Sequence, residues 1–429
     1  MITRALTAIF LLLPVFAAAA AVPIVPGEAF ALAPGSADAR PQWNPAVAWD
    51  GKDTYLVVWQ QGRLYHATQQ ADILAVRVDA RGRVLDRAPI VICNVEGSQE
   101  QPQAVFSGGR FLAAWHDLRN GRDWDVYAAR VRVDGRVLEP GGFLVAGGRE
   151  NQASPMLAPA TAGFLVVWQH HARHYQLQAA LIPASAGAPA PFPLTFRGDA
   201  LWGGGHALAR ARGGWLLSWN DEKGWAQTGT GMITRHFAWL AERGGRPEVR
   251  DVQRAPAVAL GRSGGRFAGD GASSVLYAGW GVAGRGSRIA SAALFGPGRA
   301  SAHKNPNPEP TRRLSGWNTE RMIPLYDFAI PVDGPVAAAF GQGGYLVVAR
   351  DAYSGAANER RRNRLLGTRL TTAGARIDVP SAPQVLHQSP HRVARPALAG
   401  GNQQFLLAFE QEDAAGARRI WAKILKGAE

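Results

Sequence analysis

The chain has 429 residues, 47% hydrophobic and 19% charged, with a formal net charge of +14 and a single cysteine, Cys93. One cysteine excludes an intramolecular disulfide, so stability has to come from packed apolar area, and the length exceeds one ordinary compact domain unless the architecture is repetitive or barrel-like. The charge favours acidic partners such as polysaccharide, lipid headgroups or nucleic acid without selecting one; apart from the block Arg360, Arg361, Arg362 and Arg364, arginines are scattered through hairpins.

Arg4, the apolar run Ala8 to Phe16 and the small residues Ala17 to Ala21 predict a secretory signal peptide over 1–21. The mature protein is then exported, periplasmic or extracellular. Residues 22–429 read as a single domain with no transmembrane anchor, because no later run of some 18 apolar residues follows, and no cysteine stands near Ala21 to accept a lipid. Next comes a strand-like segment, Gly27 to Ala33, leading through a polar turn to Pro45.

From Pro45 onward one pattern recurs: Pro, small or β-branched residues, a Gly-containing turn, an aromatic with three or four apolar residues, and often a terminal Trp. It runs as Pro45–Trp49 with Tyr55–Trp59, Pro102–Phe106 with Phe111–Trp115, and Pro155–Ala158 with Phe164–Trp168. Weaker copies are His206–Ala209 with Trp215–Trp219, Pro256–Leu260 with Ser274–Trp280, Pro335–Phe340 with Tyr345–Ala349, and Pro396–Ala399 with Phe405–Phe409. The seven starts are 57, 53, 51, 50, 79 and 61 residues apart, the spacing of propeller blades, with an insertion at about 298–334. Runs of four to seven residues rich in aromatic and β-branched side chains predict short strands. Third strands follow at Asp72–Val78 and Asp125–Val131, and fourth strands around Val84 to Ile92 and Val137 to Val145.

The predicted fold is therefore all-β: a β-propeller of seven four-stranded blades. The last unit ends after Arg419–Leu425 without a fourth strand, so the N-terminal strand around Phe30 is expected to complete the last blade and close the ring. The recurring Trp59, Trp115, Trp168 and Trp219 are expected to pack between blades, and the proline is expected to open each first strand, where no amide donor is needed.

These repeats, of the form P-x-V-A-W … Y-L-V-V-W … D-I-Y-A-x-R-V, resemble those of bacterial secreted or periplasmic β-propeller repeat proteins. A more distant resemblance is to the sialidase-like propeller superfamily. The Asp-box pattern S-x-D-x-G-x-T-W of sialidases is absent and no arginine triad transfers residue by residue. The resemblance covers most of residues 27–425 and implies a fold and no particular activity.

In such a blade the second-to-third and fourth-to-first connections emerge on one end of the ring, the expected functional surface. Nine of ten histidines fall in or beside these loops: His66, His116, His170, His171, His174, His206, His303, His387 and His391, with His236 in a strand. The candidate ligand-binding residues are His116, Asp117, Arg119, Arg122, His170, His171, His174, Tyr175, Trp202, Asp221 and Trp225. Imidazoles at His170 and His174, with Asp117 or Asp123 from the next blade, would suit a transition metal; calcium is the other ion considered, and no cofactor is assigned.

Acidic catalysis would need two carboxylates about 5–10 Å apart, and Glu100, Asp117, Glu150, Asp221 and Glu320 declare no pair. P-loop, dinucleotide, metalloprotease and nucleophile-elbow motifs are missing, as is any specific nucleic-acid module. The leading reading is a non-enzymatic binding or scaffold protein holding a protein or glycan of the cell envelope or extracellular space. The alternatives are a carbohydrate-active enzyme, hydrolase or lyase, using carboxylates on that face, and a structural subunit of an envelope assembly.

Overall fold

The computed structural model describes residues 24–33, 38–62, 70–171, 175–185, 187, 189–194, 207–221, 234–243, 246–254, 266–269, 275–282, 288–296, 318–324, 337–351, 363–375, 377, 383–401 and 403–427. The expected signal peptide and all of the insertion except 318–324 lie outside them.

The described chain is all-β and forms seven antiparallel sheets, six of four strands in sequential order and a seventh of five, in which two short N-terminal strands pair with the last strand of the chain. The edge strands that begin each sheet are Gln42–Trp49, Gln99–Ser107, Gln152–Ala160, Ala207–Ala211, Arg266–Gly269, Ala337–Gly341 and Val393–Gly400. Each contacts its successor, and that of the seventh sheet contacts that of the first. The core follows the same succession. Buried apolar residues form seven clusters, each shared by two adjacent sheets, and one of them joins Phe30, Leu32, Leu406 and Ile420 to Tyr55, Val57 and Trp59. A four-stranded sheet with two apolar faces needs this arrangement, since neither face is covered from within.

The N-terminal segment completes the seventh sheet. Ile24–Pro26 pairs antiparallel with Arg418–Gly427, placing Ile24 opposite Gly427 and Pro26 opposite Leu425. Phe30 then pairs with Ala422, as expected, and Ala31 with Trp421. Ile24 is buried among Leu386, Val393 and Leu407, while its neighbour Val25 points outward.

The recurring tryptophans pack as expected. Trp59, Trp115, Trp168 and Trp219 are buried, each in the cluster shared with the preceding sheet. The third-strand arginine of the repeat is also a cross-sheet tie. Arg130 pairs with Glu139 at 2.6 Å and donates to the carbonyls of Pro183 and Gly187 in the third sheet; Arg77 pairs with Asp86 at 2.7 Å and donates to Val133 of the second sheet.

Three expectations change. The repeat proline sits inside the first strand, because the residue before it is left-handed: φ is 52° at Asn44, 53° at Gln101, 54° at Ser154 and 43° at Arg395. Register shifts at these places mark bulges, where a missing amide hydrogen costs no ladder bond. The fourth strands are shorter, Ile90–Cys93 and Phe143–Ala146, with Val84 and Val137 held by isolated bridges. In the fifth sheet the described first strand is Arg266–Gly269, where Phe267 joins the core with Phe237 and Tyr277, and the fourth is Asn318–Pro324 from the insertion; Pro256–Leu260 lies outside the described residues.

Candidate functional site

The left-handed residues organise the end of the molecule that carries the second-to-third and fourth-to-first connections. A left-handed turn aims the residue's N–H sideways, out of its own ladder and toward the preceding sheet. There it meets the residue after the second strand's terminal aromatic. Asn44 N–H donates to Glu410 Oε1 at 2.8 Å, Gln101 N–H to Gln60 Oε1 at 3.3 Å, and Ser154 N–H to His116 Nδ1 at 3.3 Å. Three seams, seventh to first, first to second and second to third, thus use one device with three different acceptors: carboxylate, amide and imidazole.

His116 and Asp117 end the strand Arg110–Asp117 and do not lie in the loop. The His116 ring is buried against Trp124, with centroids 4.5 Å apart, and Glu100 stands directly opposite it in the ladder. Burial, and secondarily the nearby His171, pushes its pKa down to about 3. Asp117 is fully buried and engaged through both oxygens: Oδ2 accepts from Trp115 Nε1 at 2.8 Å and Arg119 Nη2 at 2.7 Å, and Oδ1 accepts from the Arg119 amide and Nε at 2.9 Å. Arg119 lies over Tyr127 and donates to Gly141 O at 2.8 Å. Asp117 and Arg119 are therefore framework, with the carboxylate turned away from solvent. Arg122, in contrast, is exposed on a turn in which Asn120 Oδ1 accepts the amides of Arg122 and Asp123.

In the third sheet His170 and His171 close the strand Gly163–His171. His170 contacts the Gln152 amide through Nδ1 and Glu150 Oε2 through Nε2 at 3.4 Å; Glu150 is exposed and left-handed, with φ at 71°. Burial, then the charge of His170, lowers the pKa of His171. Tyr175 pairs with His171 through the backbone, and Asp221 with Thr234. His174, Trp202 and Trp225 lie outside the described residues, as do His66, His206 and His303. Among the described residues no group of three or more His, Cys, Asp or Glu side chains is arranged to hold a metal ion, and His116 and His171 enter the packing between sheets.

No candidate ligand-binding residue was expected at the seam between the seventh and first sheets. There Glu410, buried, accepts from Arg395 at 3.2 Å and Arg418 at 3.3 Å, and the Arg418 guanidinium lies 3.8 Å from the Trp43 ring centroid. Trp124 was also missed; it is anchored by its own amide to Asn151 Oδ1 at 2.9 Å and by its carbonyl to the Gln152 amide at 2.6 Å. The shared signal was the residue before each repeat proline, readable as a position and not as a left-handed one. Exposed Arg149 and Arg392, in fourth-to-first connections, share this end with Arg122.

No protein family matches the chain, and no curated protein is similar enough to match. Solved structures do resemble it. A protein of unknown function from Dyadobacter fermentans is 11% identical, with 94% of this chain and 99% of that one aligned and a TM-score of 0.53. The polysaccharide lyase Uly1 is 7% identical over 90% of each chain, with a TM-score of 0.49. A Trypanosoma rangeli sialidase in complex with sialic acid is 10% identical over 82% of this chain and 56% of its own, with a TM-score of 0.43. The first of these shows a shared fold and says nothing of activity. No helix among the described residues is long and apolar enough to cross a membrane.

Proposed function

We propose that the protein is an exported seven-bladed β-propeller, closed by its N-terminal strand, that binds an acidic glycan on its loop-rich end without transforming it. The cyclic contacts of the first strands and the cluster joining the last sheet to the first support the closed ring.

The observation that carries the binding reading is the division of charge at that end. Four of its buried carboxylates are spent on framework cations, Asp72 on Arg40, Asp117 on Arg119, Asp351 on Arg364, and Glu410 on Arg395 and Arg418, while Glu100 and Asp125 accept from the neutral Ser98 hydroxyl and Asn120 amide. A carboxylate covered and hydrogen-bonded to a guanidinium in this way is out of reach of a ligand, which suits neither a general acid nor a nucleophile. Arg122, Arg149 and Arg392 are exposed there, alongside the carboxylates Glu96 and Glu150, and their planar guanidinium donors match carboxylates and sulfates. The net charge of +14 adds long-range attraction for the same ligands.

Calorimetry with polygalacturonate and with neutral dextran tests this. Binding to the acidic polymer that weakens with salt, and is lost in the Arg122→Ala/Arg149→Ala/Arg392→Ala variant at unchanged melting temperature, is the expected result. Equal affinity for both polymers, or full binding by the triple variant, refutes it. A second reading, a carbohydrate-active enzyme, draws on the buried Glu100 lying directly opposite His116. Release of new reducing or unsaturated ends, abolished by Glu100→Gln, would put that reading first.

A further inference from the structure

The seam between the second and third sheets differs from its two described counterparts in the chemistry of its acceptor. Gln60 accepts the Gln101 amide through a neutral carbonyl oxygen and Glu410 accepts the Asn44 amide through a carboxylate. At the third seam the acceptor is an imidazole nitrogen, His116 Nδ1, and it can accept only while it carries no proton. The ring's one proton then sits on Nε2, which is buried with no partner among the described residues.

Protonation of His116 does two things at once. It places N–H against N–H at Nδ1 and Ser154, and it puts a cation in a side chain only 4% exposed. Trp124 covers one side of the ring. His171 approaches from the third sheet, with His170 beyond it, and both are cationic when protonated. Glu100, opposite in the ladder, is the acid of the sheet's first strand, and its Oε1 already accepts the Ser98 hydroxyl at 2.8 Å. Asp117, next along the strand, is turned to Trp115 and Arg119.

We propose that His116 and Ser154 form an acid-released latch, holding the second and third sheets together at neutral pH and opening that one seam of the ring on acidification. Released, the seam frees the Trp124 turn and the His170–Glu150 connection, both of which border the loop-rich end. The sign follows from the closed-state pKa, which burial lowers to about 3 from 6.5. The closed form binds fewer protons than the open form between these values. Its advantage is complete above pH 6.5 and falls as the pH drops toward 3, by up to about tenfold in the opening equilibrium per pH unit.

Hydrogen exchange followed by mass spectrometry, corrected for intrinsic rates, tests the latch at pH 7 and pH 4.5. In the wild type, peptides covering Ser154 should lose protection on acidification, up to about 100-fold, while those covering Gln101 hold theirs. His116→Gln, which installs the neutral acceptor of the neighbouring seam, should remove the difference. Equal protection of the two segments at pH 4.5, or identical acid loss in the variant, overturns the proposal. If the variant does not fold, imidazole NMR titration of the wild type decides: an ordinary His116 titration with an unmoved Ser154 amide overturns it, and a depressed one that ends in opening supports it.

Discussion

Replacing Ile24 by Ala tests whether the first described strand completes the last sheet, and Val25→Ala is a built-in control. Ile24 is 2% exposed and packs among Leu386, Val393 and Leu407, whereas Val25, next in the same strand, is 52% exposed. Ile24→Ala removes three carbons, worth about 0.8 kcal/mol each or ~2.4 kcal/mol together before any cavity cost, and buried isoleucine truncations span about 2–5 kcal/mol. Val25→Ala should stay within about 0.5 kcal/mol. With a urea slope of about 3 kcal/mol/M, the Ile24 variant should lose about 0.8 M or more in midpoint. Unfolding of residues 22–429 should be followed by tryptophan fluorescence and circular dichroism together, so that coincident transitions license the comparison. Equal midpoints for the two variants would show that Ile24 packs against nothing, and the strand's place in the seventh sheet would fall with it.

Other outcomes follow from the same geometry. Cys93 is buried and burial pushes its thiol pKa up to about 11, so native protein should resist thiol labelling at pH 8 and react only when unfolded; rapid native labelling would contradict the packing. Removing the Glu410 carboxylate with Ala leaves the Asn44 amide without its acceptor, Arg395 without this partner and Arg418 with Glu412, and should cost about 1–3 kcal/mol, while Glu410→Gln, which keeps an acceptor for the Asn44 amide, should recover part of it in denaturant titration. Arg130→Met should destabilise the tie to the third sheet by leaving Glu139 without its cation, seen as raised exchange around Pro183; unchanged exchange there would refute the cross-sheet role.

The strand pattern, the seven repeats and the packing role of the tryptophans were legible because each depends on a local period and on apolar side chains. The pairing of the Phe30 segment with the last strand was legible for a different reason: the final repeat lacked a strand and the first segment had one too many. What escaped was whatever depends on a neighbouring sheet. Nothing local distinguishes Ser154 before Pro155 from an ordinary extended residue, and its left-handed backbone appears only once His116 of another sheet takes its amide. Asp117 looked available for a ligand because it follows a histidine at a strand end; Trp115 two residues earlier and Arg119 two residues later consume it. Proline was placed one role too early, at a strand start, because a bulge serves its missing amide hydrogen equally well.

The seventh sheet joins strands from the two ends of the chain, with Ile24 against Gly427. Residues 418–427 must be made before that pairing exists, so the seventh sheet is completed only after the six that precede it have been synthesised. The paired residues, such as Ile24 and Gly427, lie far apart in sequence, which makes completion of this sheet a late and slow step. Until then the first six sheets stand with an uncovered apolar face at each end of the row, the state in which such chains associate with one another. A chain kept extended until its last strand is free would bypass that interval.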